Sequence, residues 1–212
     1  MNEMSLIKLQ GGAPTGGGVF LQRIQWDARS GVMSSINRIN GPAGWENDPQ
    51  IIGQPFSLAM DLANIEMVWM RLINGVDVQS VKARDVIAGT AAWMPRPSED
   101  HKEGFRVQVS NSKLFAGVRE WSSTAFCVRQ SLDDLHTQFE AESSKHEDEV
   151  PIVTSKGRTA ATTAKGTNFA PTFEITGWSP RDVFDSVPQP QDSPPVVAVS
   201  SIPAPANAVE FA

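Results

Sequence analysis

The order of hydrophobic periodicities constrains this chain most: many short strand-like runs, one amphipathic helix, then two further strands. Phe56, Leu58, Met60 and Leu62 alternate with Ser57, Ala59 and Asp61, the two-residue period of a strand with one buried face. Strand formers also gather at Val19–Trp26, Val32–Ile39, Ile65–Leu72, Val86–Met94, Phe105–Ser110 and Leu114–Glu120, with Asn74-Gly75 as a turn signal. Residues 40–55 collect Gly, Pro, Asn and Asp around Trp45 and read as a loop. Ala125, Val128, Leu132, Leu135 and Phe139 then recur at helical spacing, with Ser122 or Ser123 placed to cap the helix. Pro151–Thr154 and Pro171–Trp178 predict the last two strands, and Ser155–Asn168 between them reads as a loop.

This order predicts a mainly β fold with one amphipathic helix. The architecture it fits best is an OB-fold-like Greek-key barrel, whose helix commonly lies between the third and fourth strands. The surplus strands ahead of the helix depart from that plan. Residues 1–18 end in a glycine-rich run and read as a flexible leader, and residues 19–181 form the OB-fold-like domain. Residues 182–212 form a Pro-rich acidic tail expected to be disordered. No run approaches the roughly 20 apolar residues of a membrane helix. The single cysteine, Cys127, excludes an intramolecular disulfide framework, so a reducing, cytoplasmic setting is expected.

Net charge is −6, but the acidity is local. Residues 133–149 hold seven acids against Lys145, and residues 182–212 hold four acids and no base. Residues 150–181 carry Lys156, Arg158, Lys165 and Arg181 against Glu174 alone. An acidic total therefore leaves room for a polyanionic ligand.

The segment from Lys156 to Thr167 joins three cations to glycines and threonine hydroxyls without one acid, a composition suited to holding phosphates. An ordinary solvated loop has the same composition. Bases and aromatics also adjoin repeatedly: Arg23 with Trp26, Trp69 with Arg71, Trp93 with Arg96, Phe105 with Arg106, Arg119 with Trp121, Trp178 with Arg181. Single-strand binders interleave stacking rings and phosphate-neutralising cations in this way, although core packing accounts equally for many such rings. The expected phosphate contacts are Arg106, Arg119, Lys156, Arg158 and Lys165, and the expected stacking rings are Trp26, Trp93 and Phe105. Cys127 lies among apolar helix residues and His101, His136 and His146 lack ligand spacing, so no enzyme, metal or cofactor is expected.

The stretches Gly104-Phe-Arg-Val-Gln-Val, Gly117-Val-Arg-Glu-Trp-Ser-Ser, Val150-Pro-Ile-Val and Asn168-Phe-Ala-Pro-Thr-Phe-Glu-Ile-Thr-Gly-Trp resemble a group of bacteriophage and prophage proteins over roughly residues 55–181. Members of that group resemble phage single-stranded DNA-binding proteins. The resemblance implies an OB fold, DNA replication or recombination proteins as partners, and a partner-binding tail, here Glu210 and Phe211. The absence of Tyr and the weakly acidic tail depart from that pattern. The function expected is sequence-tolerant binding of single-stranded DNA in phage DNA metabolism, by a homo-oligomer. The alternative is a non-enzymatic phage structural or assembly protein that oligomerises and does not bind DNA.

Overall fold

A computed structural model describes residues 22–41, 44–73, 76–82, 84–87, 90–163 and 166–185. The leader, the segment Val19–Leu21 and the tail beyond residue 185 lie outside the described residues.

Twelve strands and one long helix follow in order: β1 (Arg23–Asp27), β2 (Val32–Gly41), β3 (Gly44–Ile52), β4 (Ser57–Met60), β5 (Glu66–Ile73), β6 (Val76–Lys82), β7 (Arg84–Ile87), β8 (Thr90–Trp93), β9 (His101–Ser110), β10 (Val118–Ser123), α1 (Phe126–Glu142), β11 (Glu149–Thr163) and β12 (Gly166–Pro180). Ten strands form one sheet, ordered β12-β11-β4-β9-β10-β1-β2-β3, with β5 beside β9 and β6 beside β5; β7 and β8 pair separately. Within the large sheet, β1 and β10 run parallel and the other described pairings are antiparallel.

Mainly β with one helix holds, but the Greek-key barrel does not. Closure would need a ladder between the outermost strands, and among the described residues β3 pairs only with β2 and β12 only with β11. Two local readings explain the difference. The presumed loop 40–55 contains β3, an edge strand that lengthens the sheet beyond β2 and tolerates Pro49. The presumed loop Ser155–Asn168 is the outer half of a long hairpin in which β11 and β12 pair from Glu149–Pro180 to Thr163–Gly166.

β11 touches β4 only at Ile152–Thr154, so beyond Ser155 the hairpin leaves the sheet as a two-stranded arm. A register shift between Ser155 and Gly157 bends it there, and Gly157 takes φ +132°, a conformation that a side chain would strain. The bend brings β12 to the β1–β2 turn rather than to β3. There the Phe169 N–H donates to Ala28 O at 2.6 Å, and Trp26 Nε1 donates to Phe169 O at 2.8 Å. Gly31 (φ +65°) leaves room for this clasp, since a Cβ there would stand 2.4 Å from Arg158 Cδ and 2.9 Å from Phe169 Cβ.

The core lies between the sheet and α1. Ile24, Met33, Leu58, Met60, Phe105, Val107, Val109 and Trp121 meet Val128, Leu132 and Leu135 of the helix. Trp121 holds Phe105 and Phe173 in edge-to-face contacts at centroid distances of 4.9 and 5.5 Å. The helix starts at Phe126 after Ala125, later than the Ser122/Ser123 cap expected; Ser123 Oγ instead accepts the Ala125 N–H at 3.1 Å.

Candidate functional site

Among the described residues, the nominated side chains do not assemble on one surface. Phe105 is 0% exposed and Trp26 4% exposed, so neither offers a face for a base; their phase on β9 and β1 is the core phase. Arg119 points the same way because it faces Val109 across the β9–β10 ladder. It is 4% exposed, donates to Ile36 O at 3.3 Å and Asn37 Oδ1 at 2.9 Å, and lies 4.9 Å from the Phe115 ring centroid. Desolvation pulls its pKa down.

Arg106 is on the opposite face, paired with Glu66 at 3.0 Å and Glu120 at 3.9 Å. Lys156 meets Glu174 at 2.8 Å. Arg158 donates to the Ser30 carbonyl and stacks 4.5 Å from the Phe169 centroid while staying exposed. Trp93 ends β8 opposite Arg84, and its side chain lies outside the described set. Lys165, Glu210 and Phe211 also lie outside the described residues.

Two features do come together. The first is the arm. Its threonines pair across the strands, with Thr159 Oγ1 and Thr172 Oγ1 at 3.2 Å and Thr162 Oγ1 and Thr167 Oγ1 at 3.3 Å, and these four side chains are exposed.

The second is a cleft of about 210 Å³ where β1, β5 and the β10–α1 junction meet. Arg23, Gln25, Ser122 and Thr124 supply polar groups, and Met70 and Leu72 an apolar wall. The ladders place Arg23 beside Glu120, Glu120 beside Gln108, and Arg106 beside Ser122, which puts this group on the sheet face opposite the core. Gly104 lies against the same walls; a Cβ there would be 2.7 Å from Met70 Sδ and 2.8 Å from Ser123 O.

Arg23 has no ion-pair partner among the described residues. Asp27, also in the lining, is turned to its own backbone turn: Oδ1 accepts the Arg29 N–H at 2.9 Å and Oδ2 the Ser30 hydroxyl at 2.7 Å. The Ser30 hydroxyl, above all, holds its carboxyl below the usual carboxylate range. Next to the lining residue Ala125 stands Phe126, 53% exposed, with the Arg129 guanidinium 5.8 Å from its ring centroid.

Sequence reasoning passed over Phe126 and used Arg23 only as a neighbour of Trp26. The signal was present: Phe126 stands three residues before Arg129, on the polar side of a helix whose apolar stripe runs through Val128, Leu132 and Leu135.

Among the described residues, no group of three or more His, Cys, Asp and Glu could hold a metal ion, and no helix is long and apolar enough to cross a membrane. Compared with protein-family models, curated proteins and solved structures, the chain matches none. The resemblance to phage and prophage single-stranded DNA-binding proteins therefore does not hold. With the open sheet, it leaves no ground for an OB-fold or phage assignment.

Proposed function

We propose that this protein is a non-enzymatic, sequence-tolerant binder of single-stranded DNA in the cytoplasm, and that the β11–β12 arm is its phosphate-contacting element. One observation carries this reading: residues 150–173 contain Lys156, Arg158 and Lys165 and no acid, and the described part of this run beyond Ser155, residues 156–163 and 166–173, forms an extended arm with exposed hydroxyls. The Lys156–Glu174 pair does not oppose it. Exposed ion pairs are worth roughly 0–1 kcal/mol, so a phosphate can displace Glu174 at little cost. Arg158 retains free donors beyond its bond to Ser30, and its plane is already fixed against Phe169.

The test is a tryptophan-fluorescence titration with oligo-dT across a salt series, with duplex DNA as the control. Steeply salt-dependent quenching by the single strand is expected. Replacing Lys156, Arg158 and Lys165 together by Ala should weaken binding and reduce the log–log salt slope by about 2, at roughly 0.7 per lost single-strand phosphate contact. A flat wild-type titration removes the reading.

A second reading has one observation in its favour. Among the described residues β3 pairs only with β2, and Ile51 on it is 76% exposed, which suits edge-to-edge self-association. A large, stable homo-oligomer indifferent to oligo-dT in sedimentation would put a structural or assembly protein in place of the DNA binder.

A further inference from the structure

We infer that Arg158 is a base-stacking platform: its guanidinium, backed by the Phe169 ring, offers its outer face to one base of the single strand. This is a second role beside its phosphate contact, which uses an N–H edge. The inference rests on the single-strand reading and deepens it. Cations and hydroxyls hold a backbone but no base, and Trp26 and Phe105 are buried and offer no face.

Residues opposite each other in a ladder share a face. The register Arg158↔Pro171, Ala160↔Phe169 and Thr162↔Thr167 therefore puts Arg158, Phe169 and the Thr162–Thr167 hydroxyl pair on one face of the arm. Side chains alternate along β12, so Glu174, the partner of Lys156, lies on the other face. Arg158 itself is in no ion pair among the described residues.

The Arg158 guanidinium carbon stands 4.5 Å from the Phe169 centroid, and the group donates to the Ser30 carbonyl. Gly31 closes in behind it, where a Cβ would stand 2.9 Å from both Arg158 Nη1 and Phe169 Cβ. Arg158 is nevertheless exposed. With one face on the ring and one edge on Ser30, its outer face and a free edge remain for a ligand. A planar, weakly hydrated guanidinium stacks on bases, and this plane is fixed before a ligand arrives, so little freedom is lost on binding. Every base has a π-face, which keeps the contact sequence-tolerant. The Thr162–Thr167 hydroxyls follow one residue pair beyond Phe169, about 7 Å at roughly 3.3 Å per residue, in reach of an adjoining phosphate.

The experiment separates charge from stacking. The full chain is titrated by anisotropy with labelled oligo-dT and with an abasic oligomer of the same length, across a salt series. Arg158→Lys keeps the charge and loses the plane. It should bind oligo-dT about tenfold more weakly with the log–log salt slope unchanged, and bind the abasic oligomer as the wild type does. Phe169→Leu keeps both main-chain bonds of that residue and removes the backing ring, so it should show the same loss on oligo-dT alone. Lys113→Ala should match the wild type on both, and thermal unfolding checks the fold of each variant. Equal losses on both oligomers, or wild-type affinity of both variants for oligo-dT, overturn the platform and leave the single-strand reading standing. A wild type that binds neither oligomer at low salt overturns that reading, and the platform with it.

Discussion

Trp26 donates its indole N–H to the main-chain carbonyl of Phe169 at 2.8 Å, joining positions 143 residues apart. That carbonyl also lies 3.9 Å from Cys127 Sγ, and the Phe169 N–H returns a bond to Ala28. The main chain of one β12 residue thus ties the arm to the start of the sheet and to the helix beneath it. These two hydrogen bonds join β12 to the end of β1 and the β1–β2 turn without closing the sheet.

Trp26→Phe keeps an aromatic core residue but removes the donor and leaves the Phe169 carbonyl poorly satisfied. A loss of about 1–3 kcal/mol is expected, measured by urea unfolding. Because the clasp also holds the arm, hydrogen exchange at Phe169 should accelerate more than at Val107.

Gly31→Ala strains the same contact from the other side. The φ of +65° costs an alanine roughly 1–2 kcal/mol, and its Cβ would collide with Arg158 and Phe169. The melting temperature should fall by more than for Gly177→Ala, where a Cβ meets nothing within 4 Å.

Arg119→Met removes a buried guanidinium whose partners are a carbonyl and an amide rather than a carboxylate. Desolvation already opposes the charged form here. Stability is expected to stay within about 1 kcal/mol of wild type or to rise, since buried charges are often replaceable by apolar residues of similar volume. Oligo-dT affinity should be unchanged, because no ligand reaches this side chain.

His136 is buried on the flank of α1, and burial pulls its pKa below 6.5, with Glu140 at 3.8 Å offsetting only part. The unfolded chain then takes up a proton that the folded protein resists. Stability should therefore fall as pH drops from about 7 through the unfolded value, and level off below the folded one. Unfolding curves from pH 8 to 5 check this: His136→Leu should lose that part of the pH dependence, and an identical profile in both proteins would count against it.

Much of the fold is legible in residue order. The alternation of Phe56 to Leu62 places Leu58 and Met60 in the core, and the helical spacing of Val128, Leu132 and Leu135 gives α1 and its buried face. Turn-like composition misled at 44–52, 156–163 and 166–167, because Gly, Pro, Asn and Thr describe edge strands and exposed hairpins as well as loops. The candidate site was less legible. Adjacency of a ring and a cation in sequence places them on opposite faces of a strand, as with Phe105 and Arg106.

What the sequence by itself determined is local: which runs pair as strands, which residues turn inward, and where positive charge collects without acids. Periodicity and composition set these through short-range sterics and water. Tertiary structure alone decided whether the sheet closes, where the arm lands, and which cations stay free. Those outcomes depend on contacts between residues such as Ala28 and Phe169, or Arg106 and Glu66, which lie 141 and 40 positions apart. Sequence order carries no distance between them; a bend at Gly157 and the register of the ladders supply it.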